Sequence, residues 1–388
     1  MDEGTDIVDV FLNAFSTLGH GLVAYIVPFL FVLTIVVFFH ELGHFLVARW
    51  CGVRVLTFSI GFGPELIGFN DRKGTRWKLS AVPLGGYVKF FGDESEASTP
   101  SPETLAAMSA DDRKISFHHK SVPARAAIVA AGPVANFILA IVIFFALAIT
   151  FGRPSDPARV DAVKEGSVAA AAGIKAGDII ASIDGKAITS FVDLQRTVSI
   201  NAGQKLVFGV RRDETTLELA ATPELQEIKD NFGNKHRIGI LGIEHKGKGT
   251  REPIGFFGAL ESGVSQTWFV IDRTLVYIGK VIVGRESADQ IGGPIRIAQI
   301  SGQVASVSLP DLINLAAVLS VSIGLLNLFP VPLLDGGHLL FYFVEAVRGR
   351  PLSERAQEMG FRVGLALVLM LMIFATYNDI LHVFLRTS

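Results

Sequence analysis

One cysteine in 388 residues, Cys51, leaves no partner for an intrachain disulfide and no thiolate pair for a zinc finger. Any metal held by the chain must therefore come to histidine and carboxylate. Charge is scarce as well: Asp, Glu, Lys and Arg make up 19% of the residues, against about 25% in a typical soluble domain. The signs nearly cancel, 35 Lys+Arg against 37 Asp+Glu for a formal net charge of −2. A basic face able to displace counterions from phosphates is excluded on that balance, so nucleic acid is not an expected partner. Fixed-period repeats and low-complexity runs are missing too. What fills the chain is apolar, with 50% hydrophobic residues and a mean hydropathy of +0.45, which places much of it in a lipid bilayer.

Residues 22–39 form an uncharged apolar stretch that resumes at 45–47, long enough for the ~20 residues that cross a bilayer. The preceding residues, 1–9, are acidic where a cleaved secretory leader carries positive charge, so a retained span is expected. Residues 126–151, 315–344 with a broken middle, and 363–377 give three more spans. Arg348, Arg350, Arg355 and Arg362 lie in the short link between the third and fourth spans, with only Arg386 beyond, which points that link to the cytoplasm. Both termini then fall outside, and the loop 50–125, with Arg54, Arg72, Lys73, Arg76, Lys78 and Lys89, falls inside. Within that loop, 76–83 and 87–92, joined by Leu84-Gly85-Gly86, read as a β-hairpin whose edge would take an extended peptide as an added strand. The insert from 154 to about 310 has soluble composition. Residues 160–163, 178–183, 206–212 and 216–221 are strand-like, Asp184-Gly185 marks a tight turn, 191–200 looks helical, and 256–282 has helical apolar spacing suited to the membrane surface or to the spans.

The chemistry concentrates at His40-Glu41-Leu42-Gly43-His44, near the inner end of the first span. Residues four apart share a helix face, so two imidazoles converge on one metal while Glu41 stands beside it to handle a proton. Ionisable groups inside an apolar helix are costly and are functional by default. A catalytic zinc takes three protein ligands and keeps one open position, so a third ligand is needed. In the third span, Asn327-Leu-Phe-Pro330-Val-Pro332-Leu-Leu-Asp335-Gly336-Gly337-His338 carries a lone carboxylate. His40 lies 18 residues past Leu22 and Asp335 lies 20 past Leu315, and both spans run inward, so the two groups reach similar depth. The prolines and glycines predict a partly unwound chain here, tolerated only beside protein or a water-filled cavity. Taken alone, Asp335 also fits the cap of a helix resuming at Gly336. Beside the histidine pair it is the candidate third ligand, and His338 is expected to be an interfacial histidine.

These motifs, together with Gly132-Pro133-Val-Ala-Asn136 opening the second span, resemble the site-2 protease family of intramembrane zinc metalloproteases, in particular its bacterial regulator of sigma-E protease branch. Gly85-Gly86-Tyr87-Val88-Lys89 and Gly293-Pro294-Ile295 extend the likeness over nearly the whole chain. The resemblance implies that His40, His44 and Asp335 ligate Zn2+, that Glu41 is the catalytic acid/base, and that Asn327 holds substrate, with Gly85, Gly86 and Tyr87 of the hairpin as further substrate contacts. The implied reaction is metal-assisted hydrolysis, in which Glu41 takes a proton from an acidified water and passes it to the leaving amine. Asn136 is expected to hydrogen-bond across helices rather than to touch substrate. In the insert, Glu165-Gly166-Ser167 and the run Ala171-Ala172-Gly173-Ile174-Lys175-Ala176-Gly177-Asp178 resemble a bacterial PDZ domain, a module that binds peptide C-termini. Only one such domain is evident, whereas the sigma-E regulator has two.

The expectation is a polytopic α-helical membrane protein of about four transmembrane helices, with a cytoplasmic membrane-associated β-hairpin and an inserted β-rich PDZ domain. Its boundaries are 1–50 for the first helix, 51–123 for the cytoplasmic loop, 124–153 for the second helix and 154–225 for the PDZ domain. A linker with an amphipathic helix follows at 226–310, the third segment at 311–347, and the last link and helix at 348–388. The expected location is the bacterial cytoplasmic (inner) membrane, with the termini and PDZ domain extracytoplasmic. The expected substrates are single-pass membrane proteins, such as anti-sigma factors already trimmed by a first protease, or signal-peptide remnants. One rival is a non-catalytic PDZ membrane adaptor with structural zinc, against which Glu41, not itself a ligand, weighs. The other is a zinc transporter, which would show internal repeats.

Overall fold

The computed structural model describes residues 3–93, 107–229, 235–246, 251–284, 288 and 292–387. Two compact units make up the chain: Met1–Ala146 with Leu260–Ser388, and Leu147–Ala259. The main helices are α1 (Glu3–Trp50), α2 (Val122–Phe151), α3 (Phe191–Ile200), α4 (Phe256–Ile282), α5 (Pro294–Val307), α6 (Leu309–Asn327), α7 (Asp335–Arg348) and α8 (Glu354–Thr387). The main strands are β1 (Val55–Asn70), β2 (Arg76–Phe90), β3 (Ile179–Ile183), β4 (Lys186–Ala187), β5 (Leu206–Arg212), β6 (Thr215–Ala221), β7 (Glu224–Lys229) and β8 (Lys235–Ile240).

Four helices of the first unit are long and apolar enough to cross a membrane, over Val23–Trp50, Val122–Phe151, Leu309–Asn327 and Arg355–Leu381. Their side chains are arranged with the opposite polarity to a soluble bundle. On α2, Ile128, Gly132, Asn136 and Ala140 form a buried stripe four residues apart, while Val134, Ile138 and Val142 stand exposed at 48–55%. On α2 the small Gly132 and Ala140 and the polar Asn136 thus face the bundle, while the outward face is purely aliphatic, as lipid allows. Val32 and Val36 of α1 pack with Leu312 and Ala316 of α6, and Ala140 and Phe144 of α2 pack with Ala317 and Val321 of α6 and with Val270 and Ile271 of α4.

The third span departs from the expected 315–344. It starts six residues earlier, at Leu309, because Ser308 caps it by accepting from Asp311 N at 3.2 Å with Pro310 in the first turn. It stops at Asn327, where the run to Pro330 and Pro332 removes donors, and α7 resumes at Asp335. The stretch expected as a linker at 226–310 is also more ordered than its composition indicated. Its first part holds β7 and β8 of the second unit, and the helix expected at 256–282, α4, is followed by a second one, α5. Helix α5 begins at Gly293 without a side-chain cap of its own, and Asp379 of α8 caps it instead, accepting from Gly293 N at 2.8 Å and Arg296 N at 3.0 Å.

The hairpin forms between other partners than expected. The limbs 76–83 and 87–92 do not pair with each other; Val55–Ile60 of β1 pairs with Gly86–Phe90 and also with Arg76–Leu79, while Glu65–Asn70 pairs with Arg76–Ser80. The reversal lies at Asp71–Thr75, where Asp71 accepts from Lys73 N at 2.9 Å and Thr75 N at 3.0 Å and Gly74 takes φ +82°. Partial burial would raise the Asp71 carboxyl, but hydrogen bonds from Thr75, Trp77, Arg49 and Lys73 outweigh it and hold the group down at about 2. Phe58, 1% exposed, anchors the hairpin to α1 between Phe38, Phe45 and Trp77, stacking on Trp77 at 4.2 Å.

In the second unit an antiparallel sheet runs in the order β4-β3-β5-β6. Helix α3 spans the predicted 191–200, started by a capping box between Ser190 and Asp193. Val160, Ile174, Ile180, Leu194, Phe208 and Val210 close the core.

Candidate metal centre

His40 and His44 stand one turn apart on α1, and Asp335 opens α7 almost three hundred residues later. The helix dipole favours a carboxylate at that first turn. His40 Nε2 lies 3.3 Å from His44 Nε2 and 3.2 Å from Asp335 Oδ2, and His44 Nε2 lies 3.6 Å from Asp335 Oδ1. Side-chain exposures of 12%, 12% and 17% place all three inside the protein. A tetrahedral zinc with bonds of about 2.0–2.1 Å separates its ligand atoms by about 3.3–3.4 Å; the two imidazole nitrogens stand at that spacing, and the Asp335 carboxylate faces both of them, with Oδ2 toward His40 and Oδ1 toward His44. Asp335 Oδ2 is buried and makes no hydrogen bond despite its nearness to His40, as befits an oxygen aimed at a cation. His44 donates Nδ1–H to the Ile128 carbonyl at 2.9 Å, which leaves Nε2 as a bare ligand atom. Among the described residues this is the one cluster of three or more His, Cys, Asp or Glu side chains able to converge on a metal.

Glycines make the convergence possible. A Cβ on Gly132 of α2 would overlap His44 Nε2 and come within 2.9 Å of His40 Cε1, and one on Gly43 would strike the Ala131 carbonyl, so α1 and α2 meet almost backbone to backbone. Gly336 and Gly337 allow the turn 328–331 to wrap the start of α7, and Gly364 of α8 leaves room for the Pro332 carbonyl. In that turn Leu333 has φ +128°, a strained value for a side-chain-bearing residue held by its surroundings two positions before Asp335. Arg125 at the start of α2 pairs with Glu345 of α7 at 2.6 Å and lies 4.8 Å from the Tyr342 ring, tying the helix behind the histidines to the helix that carries the carboxylate.

Glu41 follows His40 on α1, and a Cβ on Gly86 would meet Glu41 Cγ at 3.0 Å, so the hairpin backbone comes to the edge of the site. Gly85 and Gly86 are half-buried, with Gly85 at φ +110°, and Tyr87 is 8% exposed and stacked on Phe62 at 6.0 Å. Asn327 is half-buried and closes α6. His338, expected at the interface, packs on Phe361 of α8 at 5.4 Å. Asn136 makes the expected cross-helix hydrogen bond, but its partner is His40, with the amide 3.2 Å from Nδ1. The sequence gives no sign of that pairing beyond the position of an Asn four residues past Gly132 on one stripe.

Four membrane helices, one of them carrying the H-E-x-x-H motif, and a carboxylate brought against its two histidines define a multi-pass membrane metalloprotease. The chain belongs to peptidase family M50, whose model matches residues 28–371. It is 52% identical over 377 residues, covering 95% of this chain and 99% of the relative, to a protein of Agrobacterium fabrum named "Putative zinc metalloprotease Atu1380". It is 41% identical over 382 residues, covering 93% and 96%, to the metalloprotease MmpA of Caulobacter vibrioides.

Proposed function

We propose that this protein is a zinc endopeptidase that cuts single-pass membrane proteins within or near the bilayer, with His40, His44 and Asp335 as ligands and Glu41 as the proton carrier. The observation that carries the reading is the convergence of two imidazoles and one carboxylate, with one ligand atom from each within 4.8 Å of the others, next to a second carboxylate that is not among them. Bound zinc supplies an acidified water and a polarised carbonyl. Glu41 then accepts the water's proton and delivers it to the departing amide nitrogen. Glu41 has no other evident task, which speaks against a purely structural metal.

A transmembrane helix resists hydrolysis because its amides are bonded internally, so the substrate must be extended before it is cut. On this reading Gly85, Gly86 and Tyr87 hold an extended segment near Glu41 by strand addition, and Asn327 is the further substrate contact. The β-rich second unit is, on this reading, an extracytoplasmic PDZ domain that binds peptide C-termini, including those left when a first protease trims the substrate. Substrates of this kind include anti-sigma factors and signal-peptide remnants, and the site of action is the bacterial inner membrane with both termini outside.

The test is cleavage of a tagged single-pass substrate, truncated outside the membrane, by wild-type and Glu41→Gln protein in detergent with zinc measured on both. Cleavage by wild type alone at equal zinc is expected. Loss of zinc in the Glu41 variant, or cleavage by both, refutes the assignment.

A further inference from the structure

Resting on the reading that His40, His44 and Asp335 hold zinc, we propose that Asn136 is the positioning residue for His40, its side-chain oxygen accepting the Nδ1 proton so that Nε2 faces the metal unprotonated. The two histidines need the same wiring. For His44 it is fixed, because the Ile128 carbonyl can only accept, so Nδ1 carries the proton. For His40 the only group found at Nδ1 among the described residues is the Asn136 amide. Oriented with Nδ2 toward His40, the amide donates to Nδ1, which drives the ring proton onto Nε2, the atom 3.2 Å from Asp335 Oδ2. That orientation also leaves Asn136 Oδ1 buried with no partner, in a residue that is 0% exposed. Oxygen and nitrogen of an amide share one shape, and their placement follows from the hydrogen-bond network. A half turn of the amide pairs the orphan oxygen with His40 Nδ1–H and frees Nε2 as a ligand.

Helix α6 fixes Asn136 at that spot. Ser320 of α6 donates to the Asn136 backbone carbonyl at 2.9 Å, and Gly324 of α6 leaves room where its own Cβ would meet Asn136 Cβ at 3.1 Å. Ile128, Gly132 and Asn136 share one stripe of α2. Backbone carbonyls point toward the C-terminus and side chains tilt toward the N-terminus, so the Ile128 oxygen and the Asn136 amide approach each other from two turns apart. They meet α1 at the one-turn spacing of His44 and His40, with Gly132 giving the rings room between them.

Asn136→Leu keeps the volume and removes the acceptor, while Asn136→Asp keeps the acceptor in the carboxylate–histidine–metal form. Zinc affinity of the full-length protein in detergent, by chelator competition, is expected to fall about 10- to 100-fold for Leu and to stay near wild type for Asp. The visible spectrum of the cobalt-loaded protein should change for Leu alone, and the unfolding midpoint of zinc-stripped protein should not follow the loss of affinity. Asn136→Ala replaces Leu in the comparison if the Leu variant does not insert. Wild-type zinc affinity in the Leu or Ala variant, or an Asp variant as weak as they are, overturns the proposal. Zinc retained by His40→Ala would instead overturn the ligand assignment on which it rests.

Discussion

Gly132→Ala adds one methyl group to a helix that contributes no ligand, yet the structure predicts that it disables the centre. The new Cβ would overlap His44 Nε2, lie 2.6 Å from His44 Cε1 and lie 2.9 Å from His40 Cε1. Carbon atoms rest at about 3.5–4.0 Å, so both rings must retreat by about 1 Å or α2 must back away from α1. Backing away would give up the close contact with the Ala131 carbonyl that Gly43 allows on α1. Functional sites hold their groups to about 0.5 Å, so a shift of this size misplaces two of the three proposed ligands at once. Zinc affinity should fall at least about 100-fold, or about 2.7 kcal/mol. The assay is zinc retained after dialysis against graded chelator, with Gly279→Ala on α4, where a Cβ meets nothing, as the neutral comparison. A Gly132→Ala protein that keeps wild-type zinc affinity would show that α2 is not the wall that sets the imidazole positions.

The other expectations concern the scaffold. Gly364→Ala should reduce zinc content, because its Cβ would overlap the rigid Pro332 carbonyl in the turn that leads to Asp335; Gly360→Ala should do less, since its Cβ crowds the movable end of Phe341 and reaches Pro332 Cβ only at an ordinary 3.6 Å, and metal analysis of both variants decides. Phe58→Ala removes a fully buried ring from between Phe38, Phe45 and Trp77, so the unfolding midpoint in detergent should drop by the equivalent of about 3–5 kcal/mol. Because the Asp71 carboxyl is held down at about 2, its contribution to the hairpin is complete above the ordinary carboxylate value of ~4 and is lost as pH falls through about 2. Emission from Trp77, whose Nε1 donates to Asp71 at 3.3 Å, should therefore change between pH 4 and 2 in wild type and not in Asp71→Asn.

What the sequence reveals of this protein is set by how local each signal is. Helical spans are legible because a continuous apolar run satisfies its own backbone, so their number needs no knowledge of neighbours. His40 and His44 are legible because the helix repeat alone puts them on one face. Asp335 needs one more step, an argument from depth in two spans running the same way, and the structure places its carboxylate against both imidazoles. Within the second unit, β5 and α3 fall on the predicted 206–212 and 191–200 because alternation and a Ser190/Asp193 cap are both short-range.

The failures share a cause, which is that pairing partners are not local. In the loop after the first span, two glycines between strand-like segments imitate a hairpin turn, while the true reversal at Asp71–Thr75 depends on a carboxylate collecting donors from Lys73, Thr75 and Arg49 of α1. Gly85 and Gly86 serve a different need. With φ +110° at Gly85 and Glu41 against Gly86, they let the strand bend beside α1, where any side chain at Gly86 would intrude. Gly132 and Asn136 follow the same logic. Both look like ordinary helix-packing residues, and only the positions of His40 and His44 give them another meaning. Around this centre the glycines are thus more informative than the ligands about what must be preserved. A ligand can be recognised from its chemistry, but the space it needs is supplied by residues defined by what they lack.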